Sequence, residues 1–232
     1  MTTFALVHGA WHGGWCFAPL VAELERRGHG AVAIDLPGED ATAGNAVYAD
    51  VIAERLREAD DVVLVGHSLA GLTIPLVPAR REVRALVYLC ALLPVPGRSL
   101  IDQLREGEPV FVPGFAAAVV RDDHQRSYWP VGSEPAAIHD LYHDCAPADA
   151  AAAVARLRPQ GRPPNTEPCP LEALPDVPST YVIGADERSI DPAWSRVAAR
   201  ERLGVEPVEL PGGHSPFLAR PAALAEVLLG II

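Results

Sequence analysis

Residues 62 to 71, VVLVGHSLAG, run from a short apolar stretch into a glycine, a histidine and a serine, and then into a second apolar pattern of different period. Val62, Val63, Leu64 and Val65 form an unbroken, β-branched-rich run of the kind expected in a parallel strand covered on both faces. Leu69, Leu72, Thr73 and Leu76 then recur at helical spacing, so a strand is expected to feed a helix through a tight turn at Ser68. Such a turn needs small residues where the backbones cross, and Gly66 and Ala70 supply them. Glycine is usual two residues after the serine; here Ala70 holds that place and Gly71 follows. The turn exposes one hydroxyl at the end of a buried strand, which makes Ser68 the first candidate for covalent chemistry.

The rest of the chain supplies the sheet that such a turn requires. Thr3 to Val7, Ala31 to Ile34 and Ala85 to Leu89 are strand-like, and helical stripes (Phe17, Leu20, Val21, Leu24; then Tyr48, Val51, Ile52, Leu56) lie between the early strands. From Thr180 the alternation resumes with a strand at Tyr181 to Ile183, a helix over 192–203, a strand over 205–210 and a last helix from Pro221. This pattern predicts an α/β fold built on a mostly parallel, doubly wound sheet of about six strands, with the active site at strand carboxyl ends. Between Pro94 and Leu174 the rhythm fails in a proline-rich stretch whose regular parts are helices near 136–143 and 147–157. The expected organisation is therefore a core of residues 1–93 and 175–232, with 94–174 inserted as a helical cap over the sheet.

Composition narrows the partners. A chain of 232 residues, 49% hydrophobic, can bury a core without disulfides or metals. Its net charge of -11 repels phosphate backbones and anionic membranes, so no nucleic acid and no membrane partner is expected. No apolar stretch is long enough to span a bilayer. Cys16, Cys90, Cys145 and Cys169 are widely spaced with no metal-ligand pattern, which reads as free thiols. With no basic, apolar leader before Thr3, these thiols give the expectation of a cytoplasmic protein. His139 and His143 stand four apart on an expected helix, but they lack a third ligand or the acidic residue of HExxH, so no metal is assigned.

A serine hydroxyl is a weak nucleophile at neutral pH and needs an imidazole beside it, itself held by a carboxylate. Asp186 follows the strand ending at Gly184, and His214 follows the strand ending at Leu210, in Pro211-Gly212-Gly213-His214. Asp191, just before Pro192, competes as the acid but reads better as a helix N-cap. Ser68, Asp186 and His214 thus form the expected catalytic set. The oxyanion of an attacked carbonyl needs backbone N–H donors. Leu69 follows the nucleophile, and Ala10 lies in the glycine-rich loop His8-Gly9-Ala10-Trp11-His12-Gly13-Gly14-Trp15 after the first strand. That loop lacks both the Walker lysine and the dinucleotide glycine spacing. Trp11, Phe111, Phe115, Tyr128 and Trp129 are the expected walls of a substrate pocket.

HGAWHGGW, GHSLAG, LYHDCAP, GADERSI and GGHSPF together resemble the α/β-hydrolases related to plant methylesterases and hydroxynitrile lyases, with their bacterial esterase counterparts. The resemblance covers nearly the whole chain. It implies an α/β-hydrolase fold with a helical cap, a triad at Ser68, Asp186 and His214, oxyanion donors at Ala10 and Leu69, and no cofactor. Lyases of this group typically carry threonine where this chain has Gly9 and lysine where it has Ser215, and the chain contains no lysine. The expected activity is a carboxylesterase acting on small apolar or aromatic esters through an acyl-enzyme. Cyanohydrin or other carbon-carbon lyase chemistry is the alternative, or a non-catalytic ligand receptor. The partner is a small-molecule ester, and a homodimer is left open.

Overall fold

The computed structural model describes residues 2–232. Six parallel strands form one sheet in the order β2-β1-β3-β4-β7-β8: β1 (Thr3–Val7), β2 (Gly30–Ile34), β3 (Val62–His67), β4 (Ala85–Leu89), β7 (Ser179–Gly184) and β8 (Val208–Leu210). β3 lies inside the sheet, paired with β1 from Val62 to Gly66 and with β4 from Val63 to His67, and all six of its residues are buried. Such burial on both faces explains its unbroken apolar sequence.

Successive side chains of a strand point to opposite faces, so the one sheet nucleates two cores. On one side Phe4, Leu6, Val63, Val65 and Val87 meet Leu20 and Leu24 of α1 (Ala18–Arg26) and Leu224 and Leu228 of α9 (Pro221–Leu229). On the other side Ala5, Val7, Leu64 and Leu86 meet Tyr48 and Ile52 of α2 (Asn45–Arg55) and Trp194 of α7 (Pro192–Ala198). The proline expected to start the last helix does so at Pro221, while Asp191 caps α7 by accepting from the Ala193 N–H at 2.7 Å.

Three local expectations are corrected. After Ser68 the chain forms two short 3₁₀ segments, Ser68–Leu72 and Ile74–Leu76, where a continuous helix was expected. Pro75 has no N–H to donate and so cannot join an α-helical ladder. The helix over 192–203 is α-helical only to Ala198, then widens into a π turn over Ala199–Leu203 that ends at Gly204. The strand expected over 205–210 begins at Val208.

Residues between β4 and β7 add no strand to the main sheet. They form α3 (Leu100–Arg105), the antiparallel pair β5 (Val120–Arg121) and β6 (Ser127–Tyr128), α4 (Glu134–Leu141), α5 (Pro147–Val154) and α6 (Pro163–Thr166). A third apolar cluster, around Leu141, Tyr142, Ala150 and Ala153, joins this insertion to Trp11 and Trp15 of the loop after β1. The insertion therefore packs on the carboxyl end of the sheet, where the candidate groups lie.

Candidate active site

β3 ends at His67, and Ser68 has a φ of +52°, a left-handed conformation that residues other than glycine rarely adopt. Strain of this kind persists only where the surroundings hold it, and here the Ser68 carbonyl accepts the Leu92 N–H at 3.0 Å. Ser68 itself is half-buried, while Leu69 and Ala70 behind it are buried.

β7 and β8 pair through Gly184 and Leu210, so their following loops leave the sheet side by side. Asp186 fastens them together. Its N–H donates to the Gly212 carbonyl at 2.9 Å, and its carboxylate accepts the Gly212 N–H at 3.2 Å. That role turns Asp186 outward into solvent and leaves the next residue to face the histidine. The carboxylate on His214 belongs to Glu187: Oε2 accepts from Nδ1 at 2.8 Å, and both side chains are 2% exposed. Glu187 Oε1 accepts the N–H groups of Arg188 at 3.0 Å and Ser189 at 2.8 Å, which offsets the removal of its charge from water. The expectation that Asp186 bears on the histidine is thus corrected to Glu187. The first acidic residue after the strand is used to join two loops, and the longer side chain one position later reaches inward.

His214 is tied to the serine turn through its backbone. His67 Nε2 donates to the His214 carbonyl at 2.9 Å, and the two rings lie 4.6 Å apart. Burial, with His214 and His12 nearby, pushes the His67 pKa well down and keeps that ring neutral. Because a carboxylate only accepts, His214 Nδ1 carries the proton of this contact and Nε2 is left as the basic nitrogen.

The loop after β1 lies against the serine, since a methyl group placed on Gly9 would come 2.6 Å from Ser68 Cβ. His8 Nδ1 donates to the Gly9 carbonyl at 2.9 Å, and His12 Nδ1 to the Ala10 carbonyl at 2.7 Å. In a trans peptide the N–H points opposite to the carbonyl, so holding Gly9 O fixes the direction of the Ala10 N–H. That N–H has no acceptor among the described residues. Leu69, second in its 3₁₀ turn, likewise carries one of the N–H groups that a helix start leaves unpaired. Trp11 follows at a φ of +64°, a second strained position in the same site.

Of the expected pocket walls, Trp11, Phe115 and Trp129 meet: the Trp11 ring is 6.2 Å from Phe115 and 5.6 Å from Trp129. Phe111 stacks on Phe115 at 5.2 Å. Tyr128 is half-buried on β6 opposite Val120, and its ring joins none of these aromatic contacts among the described residues. Phe115 also lines a cavity of about 630 Å³ with Val112, Ala136, His139 and Arg188, while Trp129 lines one of about 310 Å³ with Ile138 and Leu157. Ser68 lines neither. His139 and His143 point to different tasks, the first bonded to Asp140 at 2.9 Å and the second packed on Gly213.

A parallel sheet that carries a serine turn, a carboxylate loop and a histidine loop at its strand ends is the architecture of an α/β-hydrolase. The chain belongs to the alpha/beta hydrolase family, whose sequence profile matches residues 4–227. Among its relatives, a carbendazim hydrolyzing esterase of Nocardioides sp. (strain SG-4G) is 37% identical over 150 residues, 58% of this chain and 62% of that protein. Probable esterase PIR7A of Oryza sativa subsp. indica is 29% identical over 251 residues, 98% of this chain and 95% of that protein. The solved structure of a pyrethroid hydrolase from Sphingobium faniae JZ-2 superposes with a TM-score of 0.84 at 26% identity, covering 99% of this chain and 96% of that one.

Proposed function

We propose that the chain is a serine carboxylesterase in which Ser68, His214 and Glu187 act as one unit on small esters with an apolar or aromatic part. The observation that carries this reading is the buried Glu187–His214 pair at 2.8 Å, joined through the His214 carbonyl to the residue before a strained serine. Ser68 Oγ attacks the ester carbonyl carbon as its proton passes to His214 Nε2. Glu187 stabilises the imidazolium, and the N–H groups of Ala10 and Leu69 receive the negative oxygen. Collapse breaks the carbon–oxygen bond of the ester, and His214 returns its proton to the departing alkoxide. Water then repeats the sequence on the acyl-enzyme, releasing the acid and restoring Ser68.

The segment 94–174 serves in this reading as the cap, and Trp11, Phe111, Phe115 and Trp129 give the acyl or alcohol part an apolar surface beside Ala10. Two features weigh against a lyase. The side chain of a threonine at position 9 would collide with Ser68. Ser215, where a lysine would neutralise a departing anion, is wholly buried with no partner for its hydroxyl among the described residues. No helix is long and apolar enough to cross a membrane. The four cysteines are all unpaired, which supports a reducing, cytoplasmic setting.

Ser68→Ala is expected to reduce p-nitrophenyl acetate hydrolysis to a residue of about a millionth of the wild-type turnover, as for other serine triads. Hydrolysis by the purified variant at the wild-type rate would refute the nucleophile.

A further inference from the structure

We propose that the turn Tyr142–His143–Asp144, which follows α4 in the insertion, is a positioning element that holds the oxyanion loop and the histidine loop together around Ser68. The proposal rests on the reading of Ser68, His214 and Ala10 given above. LYHDC is a recognisable stretch of the sequence to which that reading assigns no task.

The turn reaches the oxyanion loop through Tyr142. This side chain is wholly buried, and its hydroxyl lies 2.6 Å from His12 Nε2. The other nitrogen of His12 faces the Ala10 carbonyl, which can only accept, so Nδ1 carries the ring's proton. Burial lowers the His12 pKa to about 3 and keeps the ring neutral, which leaves Nε2 as an acceptor and Tyr142 as the donor. The directed path is thus Tyr142 O–H to His12, then His12 N–H to the Ala10 carbonyl. Without the phenol, His12 Nε2 would be buried and unpaired, a state the ring can relieve by turning away and releasing the Ala10 carbonyl. His8 holds the peptide plane before Ala10 and His12 the plane after it, so losing the second leaves Ala10, and the N–H it carries, pinned on one side only.

Asp144 reaches the histidine loop from the same turn. Its Oδ2 accepts the Gly213 N–H at 3.0 Å and also the guanidinium of Arg220, at the junction of α8 (Pro216–Ala219) and α9. His143 lies so close to Gly213 that a side chain there would run into its ring. Gly212 and Gly213 are therefore gripped from the core by Asp186 and from the insertion by Asp144. In the sheet β1 and β8 are separated by β3, β4 and β7, about 19 Å at the usual strand spacing. Their loops meet at the serine turn, the first against Ser68 and the second bonded to His67, and one three-residue turn bonds to both.

Tyr142→Phe, Asp144→Asn and Asp144→Ala test this with p-nitrophenyl acetate, a substrate too small to depend on the rest of the insertion. Melting temperature is measured beside kcat and KM. One oxyanion donor contributes a hundred- to thousandfold to turnover, and losing its alignment should forfeit about tenfold in kcat for Tyr142→Phe, with KM kept within about twofold. Asp144→Ala should lose at least as much. Asp144→Asn keeps an oxygen for the Gly213 N–H and should recover part of the loss. Wild-type kcat in folded Tyr142→Phe and Asp144→Ala, or a rise in KM alone, would overturn the proposal. If Ser68→Ala hydrolyses the same ester as fast as wild type, the reading of Ser68 falls, and this proposal with it.

Discussion

The distinction between Asp186 and Glu187 turns on what each carboxylate touches. Asp186 is exposed, and its bonds go to the backbone of Gly212, so its charge remains largely solvated. Glu187 is withdrawn from water, and its two oxygens are filled by two backbone N–H groups and one imidazole. Glu187→Gln would still contact His214, but the amide can present its NH₂ to the ring and favour the wrong tautomer. By comparison with the equivalent change in a serine protease, turnover should fall about ten-thousandfold. Asp186→Asn retains an oxygen acceptor for Gly212 and should keep kcat within a few-fold of wild type, since it does not touch the imidazole. Steady-state kinetics on the pair decide the matter, and a large loss in Asp186→Asn with none in Glu187→Gln would reverse the assignment.

At the scale of the elements, the serine turn explains its own departure from the usual pattern. Ala70 is buried without conflict, but a methyl on Gly71 would run into the Leu92 carbonyl oxygen, so the obligatory glycine is the one that follows. The centre of the sheet was readable because β3 and β4 are buried on both faces and spell themselves as continuous apolar runs, whereas β8, Val-Glu-Leu and largely exposed, was readable only by its place in the alternation. Ser68 and His214 were singled out because each lies just past the end of a strand, and the structure places both there. Glu187 was not, because the rule that the acid follows the strand does not say which of two adjacent carboxylates turns inward; that depends on the pairing of Asp186 with Gly212, a contact between distant segments. The signal available was the double glycine before His214, which invites a neighbouring loop to bond its backbone. The insertion was legible only as two helices, since α3, α6 and the β5–β6 pair are too short to carry a period.

For the whole molecule, the site introduces buried neutral histidines whose effect on stability has a definite sign. His12 and His67 have pKa values lowered in the folded state, chiefly by burial, while in the unfolded chain they titrate near 6.5. Above that pH neither state binds the proton and stability is unaffected. As pH falls below about 6.5 the unfolded chain gains protons that the native chain refuses, so stability declines. With its folded pKa at about 3, His12 alone should cost about 2 kcal/mol by pH 5, and His67 acts in the same direction. The fall in melting temperature between pH 7 and about pH 5.5, above the ordinary carboxylate range, chiefly reports the imidazoles. A melting temperature independent of pH across that interval would contradict their burial as neutral rings.

The same architecture brings the ends of β3, β7 and β8 together from distant parts of the sequence, and in the function proposed above their meeting arms one particular hydroxyl. Treatment with a fluorophosphonate, followed by peptide mass analysis, tests that claim most directly. The expected result is a single adduct on Ser68, formed far more slowly in Glu187→Gln; an unlabelled protein, or an adduct on another residue at the wild-type rate in Ser68→Ala, would contradict it.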